Sequence, residues 1–350
     1  MKAIIIIVAT LVAAAHAGQS FGTALKGIHL PCQVERSVYT RDCAANEAPC
    51  AMQHWWSGGT FVNYTGTRVR YYVDGAFVPV NIPLGLGTGS APDWLGGFED
   101  NGPWSAGSLF GKSGVGLHAG GPSHGSGVFN TIQVPFGSKV NVTVSLGCNY
   151  NAEYFWLILR GRTRASVMLP GTEAPLPPHA RLRSFERHAI NLPAYGYLPF
   201  FNSSAGNGSV LFVTLAVNSP NLRYEFLEGC VRASDHTLPP FSPDSWLLSS
   251  GTEDYFLGTF YFDKGQYMNS LAGLTALCPQ PKDSAPRPVS YGCVPDPKKT
   301  VHFSAYRVHG GHDPLEFESG HASTWRNGEP GHGGAAATVN ASTFALVYEW

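Results

Sequence analysis

The sequence predicts an all-β protein made of two tandem jelly-roll sandwiches, and three observations support this fold class. Glycine and proline are abundant, at 41 and 26 of 350 residues, and 12% of the chain is aromatic, a composition that favours strands and turns. Segments of alternating or β-branched character recur along the chain, whereas no window of a dozen residues shows a helical period. At 43% hydrophobic residues, a chain of this length can bury two cores of ordinary size.

Residues 1–17 are predicted to be a signal peptide. Lys2 supplies a short positive region, positions 3–15 are apolar, and Ala-His-Ala at 15–17 resembles a cleavage signal. The apolar run is shorter than the roughly 20 residues that a membrane-spanning helix needs. We therefore expect a secreted, extracellular protein with no membrane partner.

The sequons agree with export, and the net charge bears on possible partners. Five N-x-S/T sequons are candidate glycosylation sites: Asn63, Asn141, Asn202, Asn207 and Asn340. The formal charge of −1 at pH 7 provides no basic patch for a nucleic-acid partner.

The seven cysteines are dispersed, unlike the paired spacing of zinc ribbons, and an oxidising compartment favours disulfides. They are Cys32, Cys43, Cys50, Cys148, Cys230, Cys278 and Cys293. Because seven is odd, one thiol stays free or pairs with another chain, and the sequence leaves the pairing open. We favour Cys278 with Cys293, which closes a proline-rich loop, and one bridge within the cluster of Cys32, Cys43 and Cys50.

The strand segments divide the mature chain into four parts. We expect a cysteine-containing N-terminal segment at 18–50, a first jelly roll at 51–169, a proline-rich linker at 170–184 and a second jelly roll at 185–350. Strands are predicted at 139–146, 208–217, 300–309 and 340–350. Asp74-Gly75 lies between two strand-like runs, which is a strong hairpin signal.

Three other motifs give weaker predictions of a functional site. "AGSLFGKS" (106–113) has alanine where a phosphate loop begins with glycine, and no helical pattern follows. "GPSHG" around Ser123 lacks the strand and helix that flank a nucleophile elbow. His309, His312, Asp313 and Glu316 match no standard metal-ligand spacing, so neither a metal nor an organic cofactor is predicted.

Glu253 and Asp254 form an acidic pair in "SSGTEDYF", in a chain that has few acids. An exported β-protein rich in aromatics is a candidate for carbohydrate chemistry, in which two carboxyl groups flank the bond that is broken. The neighbouring charge and partial burial raise the pKa of Glu253 and make it the candidate acid. Glu228, before Gly229, is a candidate partner; ordinary loop acids are the alternative interpretation of both.

Seven motifs follow one another in a consistent order over roughly residues 35–350: "MQHWWSGG", "RYYVDG", "VNIPLG", "LEGCVRA", "SSGTEDYF", "SAYRVHGGHDPLEFE" and "FALVYEW". This set resembles the DUF2961 family, glycoside hydrolase family 172, and G-T-E-D-Y-F is its most specific motif. The resemblance implies a tandem jelly-roll subunit, trimers or multiples of trimers, and retaining hydrolysis or transfer of fructofuranosyl or arabinofuranosyl groups without a cofactor.

Position by position, the resemblance implies that Glu228 is the nucleophile and Glu253 the acid and base. Residues expected to contact the sugar, or alternatively to be core aromatics and surface charges, are Trp55, Trp56, Tyr72, Asp254, Tyr255 and Arg307. Two features depart from the family pattern. Cys230 stands where relatives usually carry an acid and could belong to a disulfide, and the stretch 107–127 is rich in Gly, Ser and His.

Two functional hypotheses follow from the sequence. The first is a secreted retaining glycosidase or transglycosidase of furanosides, with a carbohydrate partner. The second is a non-catalytic extracellular glycoprotein that assembles with itself, the segment from Gly18 to Cys50 adding a strand to a neighbouring subunit and the odd cysteine locking the contact.

Overall fold

The structure, a computed structural model, describes most of the chain after residue 17. The ranges are 18–59, 63–89, 110–113, 127–147, 152–169, 172, 174–239, 241–263, 265, 267–269, 271–278, 299–310, 313–331 and 336–350. Four antiparallel sheets form two sandwiches, one in each half of the chain. The predicted all-β class is therefore confirmed.

The described residues of the first sandwich form ten strands. They are β1 Ser20–Pro31, β2 Arg36–Asp42, β3 Cys50–Gly59, β4 Asn63–Val73, β5 Val80–Pro83, β6 Phe110–Ser113, β7 Gly127–Asn130, β8 Val134–Phe136, β9 Lys139–Gly147 and β10 Ala152–Arg162. One sheet has the order β1-β10-β3-β7-β6, with β8 also on β3, and the other has the order β2-β9-β4-β5. The chain alternates between the two sheets over β1 to β4 and again over β8 to β10, and the first strand pairs with the last, which is the jelly-roll arrangement.

The second sandwich repeats this order. Its strands are β11 Arg181–Leu192, β12 Tyr197–Ser203, β13 Asn207–Ser219, β14 Val231–Ser234, β15 Trp246–Ser249, β16 Tyr267–Met268, β17 Ala272–Cys278, β18 Val301–Val308, β19 Leu315–Glu318, β20 His321–Arg326 and β21 Val339–Glu349. The sheets run β11-β21-β13-β18-β17-β16, with β19 on β13, and β12-β20-β14-β15. The two jelly rolls thus share a topology that the letters of the sequence do not reveal as a repeat.

Helical structure in the described residues is limited to single turns. Helix α1 covers Thr252–Tyr255, and 3-10 turns cover Leu86–Thr88, Pro220–Leu222, Glu225–Glu228 and Phe260–Phe262. No helix of the described residues is long and apolar enough to cross a membrane. The predicted strands correspond to β9, β13, β18 and β21, and a tight turn follows β4, where Asp74 and Gly75 both have positive φ, 52° and 76°.

The segment 18–50 is part of the first jelly roll, which corrects its interpretation as a separate arm. Its first strand β1 pairs along its length with β10, and β2 pairs with β9, both within the same chain. The exposed and half-buried positions of β1 alternate, so one side of the strand packs on the core. The segment packs on its own subunit, so it is not a tail that reaches into a neighbouring one.

The described part of the predicted proline-rich linker, residues 174–184, also packs closely. The Leu176 N–H donates to the Val167 carbonyl at 2.7 Å, Ala180 is buried, and β11 already begins at Arg181. The connection is therefore shorter than the predicted linker.

A single apolar cluster joins the two jelly rolls. Val69, Ile82 and Leu86 of the first half belong to the same buried cluster as Phe212 and Phe344 of the second. Polar contacts line the same boundary: the guanidinium of Arg68 holds Glu186 with two hydrogen bonds of 2.6 and 2.9 Å, and the Thr214 hydroxyl donates to the Leu86 carbonyl at 2.6 Å. The first jelly roll thus buries one face of the sheet β11-β21-β13-β18.

Cys43 and Cys50 form a disulfide, as predicted for their cluster, with Cα atoms 6.2 Å apart. Cys32 is also disulfide-bonded. Cys230 is a buried free thiol, so neither its expected disulfide nor a locking role between subunits is found. Cys148 and Cys293 lie outside the described residues, and with Cys293 the predicted Cys278–Cys293 bridge.

Candidate active site

Two connections of the second jelly roll bring Glu228 and Glu253 together. Glu228 ends the 3-10 turn that joins β13 to β14, and Glu253 is the second residue of α1, which follows β15. Glu253 is 6% exposed, and Glu228 is half-buried. Two acids 25 positions apart therefore lie at one place because neighbouring loops of the sandwich meet there.

Thr252 fastens the two connections to each other. Its hydroxyl lies 3.0 Å from the carbonyl of Phe226 and 2.9 Å from that of Gly229. The same oxygen accepts a hydrogen bond from the Trp325 indole N–H at 2.8 Å. The "GTED" and "LEGC" segments and strand β20 thus share one buried hydroxyl group.

Glycines in both motifs permit this close packing. A Cβ on Gly229 would lie 1.8 Å from the Arg326 carbonyl oxygen, which leaves no room for a side chain. A Cβ on Gly251 would lie 3.0 Å from Oε2 of Glu253. The glycine before "TED" therefore lets the Glu253 carboxyl group fold back over the backbone.

Tyr261 contacts both acids. Its phenol donates a hydrogen bond to Oε1 of Glu228, and its backbone N–H points at Oε1 of Glu253 over a long 3.5 Å. The sequence analysis did not select Tyr261; the available signal was the aromatic run "FYF", which begins seven positions after Glu253. One residue thus links the two carboxyl groups.

Burial raises the pKa of Glu253 from its ordinary value to about 7. The nearby charges of Glu228 and Asp254 also raise it, against the lowering effect of the backbone N–H groups of Glu253 and Tyr261. Oε2 of Glu253 has no hydrogen-bond partner among the described residues. A buried carboxyl group that keeps its proton near neutral pH, beside a second carboxylate, can donate that proton to a leaving group.

Asp254 has a local structural role. Its exposed side chain accepts hydrogen bonds from the Ser250 hydroxyl and, at 3.1 Å, from the Gly251 N–H. It therefore caps the first turn of α1. Both hydrogen bonds use Oδ2 of the carboxylate, so the contact of Asp254 with a sugar stays a prediction.

Tyr255 and Arg307 belong to an internal polar network and do not form an open sugar-binding surface, which corrects the prediction for both. The Tyr255 hydroxyl lies 3.0 Å from Nε2 of His309, and Nδ1 of His309 lies 3.5 Å from Asp313. Arg307 forms an ion pair with Asp313 and donates to the Tyr255 carbonyl at 3.4 Å. Tyr255 and Arg307 are 4% and 9% exposed.

The pKa values of His309 and Asp313 are both lowered in this network, for different reasons. Burial lowers the pKa of His309 and keeps the ring neutral. The nearby ring of His309 and the guanidinium of Arg307 hold the pKa of Asp313 at about 2. The network therefore anchors the last turn of α1, and with it Glu253, to the end of β18.

The aromatic residues selected from the first half lie in strands β3 and β4 of the first jelly roll. Trp55 is 1% exposed in the core of the first jelly roll, so the prediction that it contacts a sugar is wrong. Trp56 is half-buried in the same strand, β3. Tyr72 donates to Glu35 at 2.8 Å, in a cluster that also contains Arg70 and Thr143.

The motifs with weaker functional predictions lie only partly within the described residues. No group of three or more His, Cys, Asp or Glu residues among those described could hold a metal ion. Phe110–Ser113 of the phosphate-loop-like stretch is a strand. Ser123, His312, residues 106–109 and most of the stretch 107–127 lie outside the described residues.

Comparisons with known proteins add little to this geometry. No protein-family model matches the chain, and no curated protein matches it. Among solved structures, the one titled "Crystal Structure of the STIV MCP", a viral major capsid protein, is similar at 9% identity with a TM-score of 0.36. That match covers 95% of this chain and 97% of that chain. At this TM-score the likeness carries no argument, and the jelly-roll assignment rests on the strand order alone.

Proposed function

We propose that the protein is a secreted glycoside hydrolase or transglycosidase that acts on furanosides with retention of configuration. Glu228 is the nucleophile and Glu253 the general acid and base. The carbohydrate class comes from the resemblance of the "LEGC" and "GTEDYF" motifs to glycoside hydrolase family 172. The chemistry comes from the site itself.

One observation supports this proposal above the others. Two carboxyl groups from separate loops both contact Tyr261, and burial raises the pKa of one of them, Glu253, to about 7. Paired carboxyl groups in unlike environments divide the roles of acid and nucleophile between them. Structural loop acids are usually solvated or paired with a cation, whereas Glu253 is buried and has no cationic partner in the described part of the chain.

In the proposed reaction, Glu228 attacks the anomeric carbon while Glu253 gives its proton to the departing oxygen. Glu253, now ionised, then takes a proton from water, and the water oxygen displaces Glu228 from the sugar. An acceptor sugar in place of water gives transfer instead of hydrolysis. The chain needs no oxidant, reductant or metal for either step.

Replacing Glu253 tests this assignment. Glu253→Gln should lower the release of 4-nitrophenol from 4-nitrophenyl furanosides of arabinose or fructose by roughly 10²- to 10⁴-fold, since a positioned acid-base group supplies about that much. Added azide should restore turnover and give a furanosyl azide that retains the substrate's configuration, because azide needs no general base. Product analysis by NMR identifies the anomer.

Asp254→Asn is the matched control. It removes one charge from the adjacent, exposed residue and should leave turnover within a few-fold of wild type. Unchanged turnover in Glu253→Gln, or azide rescue in Asp254→Asn alone, contradicts the assigned roles.

Export and glycosylation are part of the proposal. The Cys43–Cys50 disulfide and the disulfide-bonded Cys32 support an oxidising compartment. Asn202 and Asn340 are exposed and so the most accessible sequons, whereas Asn141 is half-buried and accepts a hydrogen bond from the Ser37 hydroxyl at 2.6 Å. We infer that glycans are attached first at the two exposed positions.

A second candidate function is non-catalytic self-assembly of the jelly rolls. It is favoured by the turn between β4 and β5, where Phe77 is 96% and Val78 64% exposed. Adjacent apolar side chains at a protruding turn suit insertion into a second copy of the chain. The oligomeric state in solution decides this candidate.

A further inference from the structure

Tyr261 has a placement that the roles of Glu228 and Glu253 do not explain. Its phenol is directed at the proposed nucleophile, while its backbone N–H faces the proposed acid. The side chain is half-buried, and its ring lies 4.7 Å from that of the exposed Phe260. Tyr261 therefore stands between the two reacting groups at the edge of the site.

The backbone around Tyr261 is held in an unusual conformation. Leu257, Tyr261 and Phe262 all have positive φ, at 59°, 49° and 52°. Residues other than glycine adopt this left-handed conformation only at an energetic cost, and such residues concentrate at functional sites. The Tyr267 hydroxyl donates to the Phe256 carbonyl and secures the start of this loop.

The phenol remains a hydrogen-bond donor under ordinary conditions. Burial raises the pKa of Tyr261, and the hydrogen bond and charge of Glu228 raise it further. A protonated phenol beside a carboxylate forms a charge-assisted hydrogen bond, about twice as strong as a neutral one.

We propose that Tyr261 is a positioning residue that acts through Glu228 and chiefly accelerates the second step, in which the sugar leaves the enzyme. This inference rests on the proposed function and assigns a role within the same site. When Glu228 carries the sugar as an ester, its carboxyl group is neutral and accepts only a weak hydrogen bond. When the ester breaks, the charge returns and the bond to Tyr261 strengthens.

The bonds formed and broken in that step explain why the hydrogen bond from Tyr261 accelerates it. Water forms a bond to the anomeric carbon and loses its proton to Glu253. The bond between the anomeric carbon and the Glu228 oxygen breaks, and its electron pair returns to the carboxylate. A donor on Glu228 stabilises this leaving group, whereas in the first step it stabilises the attacking carboxylate and gives no advantage.

Tyr261→Phe removes the donor and keeps the ring and the backbone N–H. We expect kcat for the 4-nitrophenyl furanoside to fall roughly 10- to 100-fold, the range for a hydrogen bond to a charged group. KM should fall by a similar factor, because the glycosyl-enzyme accumulates, and kcat/KM should change little. Stopped-flow absorbance should show a burst of 4-nitrophenol equal to the enzyme concentration, and intact-mass spectrometry should show one bound furanosyl group.

Tyr267→Phe is the control, since it removes a hydroxyl from the same loop without touching either carboxylate. It should show no burst and no parallel fall of kcat and KM. Should Tyr261→Phe fail to fold by near-UV circular dichroism, Tyr261→Asn is measured in the same way. Asparagine tolerates the left-handed backbone, and its side chain is shorter than the phenol.

The outcomes separate this inference from the proposed function. An active wild type whose Tyr261→Phe variant keeps kcat and KM, or loses kcat at constant KM without a burst, overturns the inference alone. A wild-type chain that releases no 4-nitrophenol from these furanosides overturns the proposed function and the inference together.

Discussion

Glu253 is a buried residue for which ionisation carries a cost. Its pKa lies at about 7 in the folded chain against an ordinary 4.5. Below pH 4.5 the carboxyl group is protonated in both folded and unfolded chains, and its contribution to stability is complete. As the pH rises, the unfolded chain loses the proton first, so the free energy of unfolding falls until the folded pKa is passed and then stays level.

This linkage gives a prediction at the residue scale. Glu253→Gln should remove the fall in stability between pH 4.5 and about 7. Above that window the variant should be more stable than wild type by up to about 3 kcal/mol, the free energy equivalent of the pKa difference. Urea unfolding at pH 5 and pH 8 measures the difference between the two proteins. Equal differences at the two pH values would show that Glu253 is not buried as described.

Residue identities at the site were only partly predictable. Glu228 and Glu253 were found because each lies in a motif with an acid next to a glycine or a turn, and the structure brings them together. Trp55 and Tyr255 were assigned to the sugar because aromatics suit that role, but the same residue types also fill β-sandwich cores. A sequence does not distinguish these two uses until the faces of the strands are fixed.

At the scale of elements, α1 and the turn before β14 depend on each other. A four-residue helix has no stability of its own. The hydrogen bonds of the Thr252 hydroxyl with Phe226, Gly229 and Trp325 stabilise this short helix in place of further helical turns. The position of Glu253 therefore depends on a group that is not itself reactive.

Thr252→Val should separate this positioning from the chemistry. Valine has nearly the same shape but leaves buried carbonyls and an indole N–H without partners, at a cost of about 1–3 kcal/mol in the free energy of unfolding. Furanoside turnover should fall as well, because α1 is no longer fixed to the Glu228 turn. Thr252→Ser keeps the hydroxyl and should recover most of both properties. Chemical denaturation and the 4-nitrophenol assay check this, and a serine variant as impaired as valine would contradict it.

Strand positions could be predicted from local sequence patterns, whereas the pairing of the N-terminal segment could not. The alternation in residues 139–146 predicted β9 directly. The cysteine-containing segment 18–50 was read as an arm because cysteines and turns interrupt it. Its strands pair with β10 and β9, about 100 to 140 positions away, and no local pattern encodes such partners.

At the scale of the whole molecule, the first jelly roll packs on one face of a sheet of the second. The sheet β11-β21-β13-β18 has apolar side chains on both faces, one toward its own sandwich and one toward the first half. This explains why β13 is almost continuously buried and lacks a strict alternation. The catalytic candidates lie on loops of the second roll, while the first supplies burial for its outer sheet.

The exposed turn after β4 gives the prediction for assembly. If copies of the chain associate through Phe77 and Val78, the double variant Phe77→Ser, Val78→Ser should lower the mass measured by light scattering to that of a monomer. Phe260→Ser, an equally polar change at a residue 74% exposed, should leave the mass unaltered. A wild-type protein that is monomeric throughout a dilution series contradicts the assembly candidate, and a double variant that keeps its mass excludes this turn as the contact.

The sequence by itself determined the β class, the positions of β9, β13, β18 and β21 and the motif around each glutamate, because strand alternation and turn chemistry are local properties. Only the tertiary structure decided which residues meet: the carboxyl groups of Glu228 and Glu253 at Tyr261, and the first jelly roll on the outer sheet of the second. Those meetings depend on strand pairings and on the exclusion of water between distant segments. Neither can be predicted from the spacing of residues along the chain.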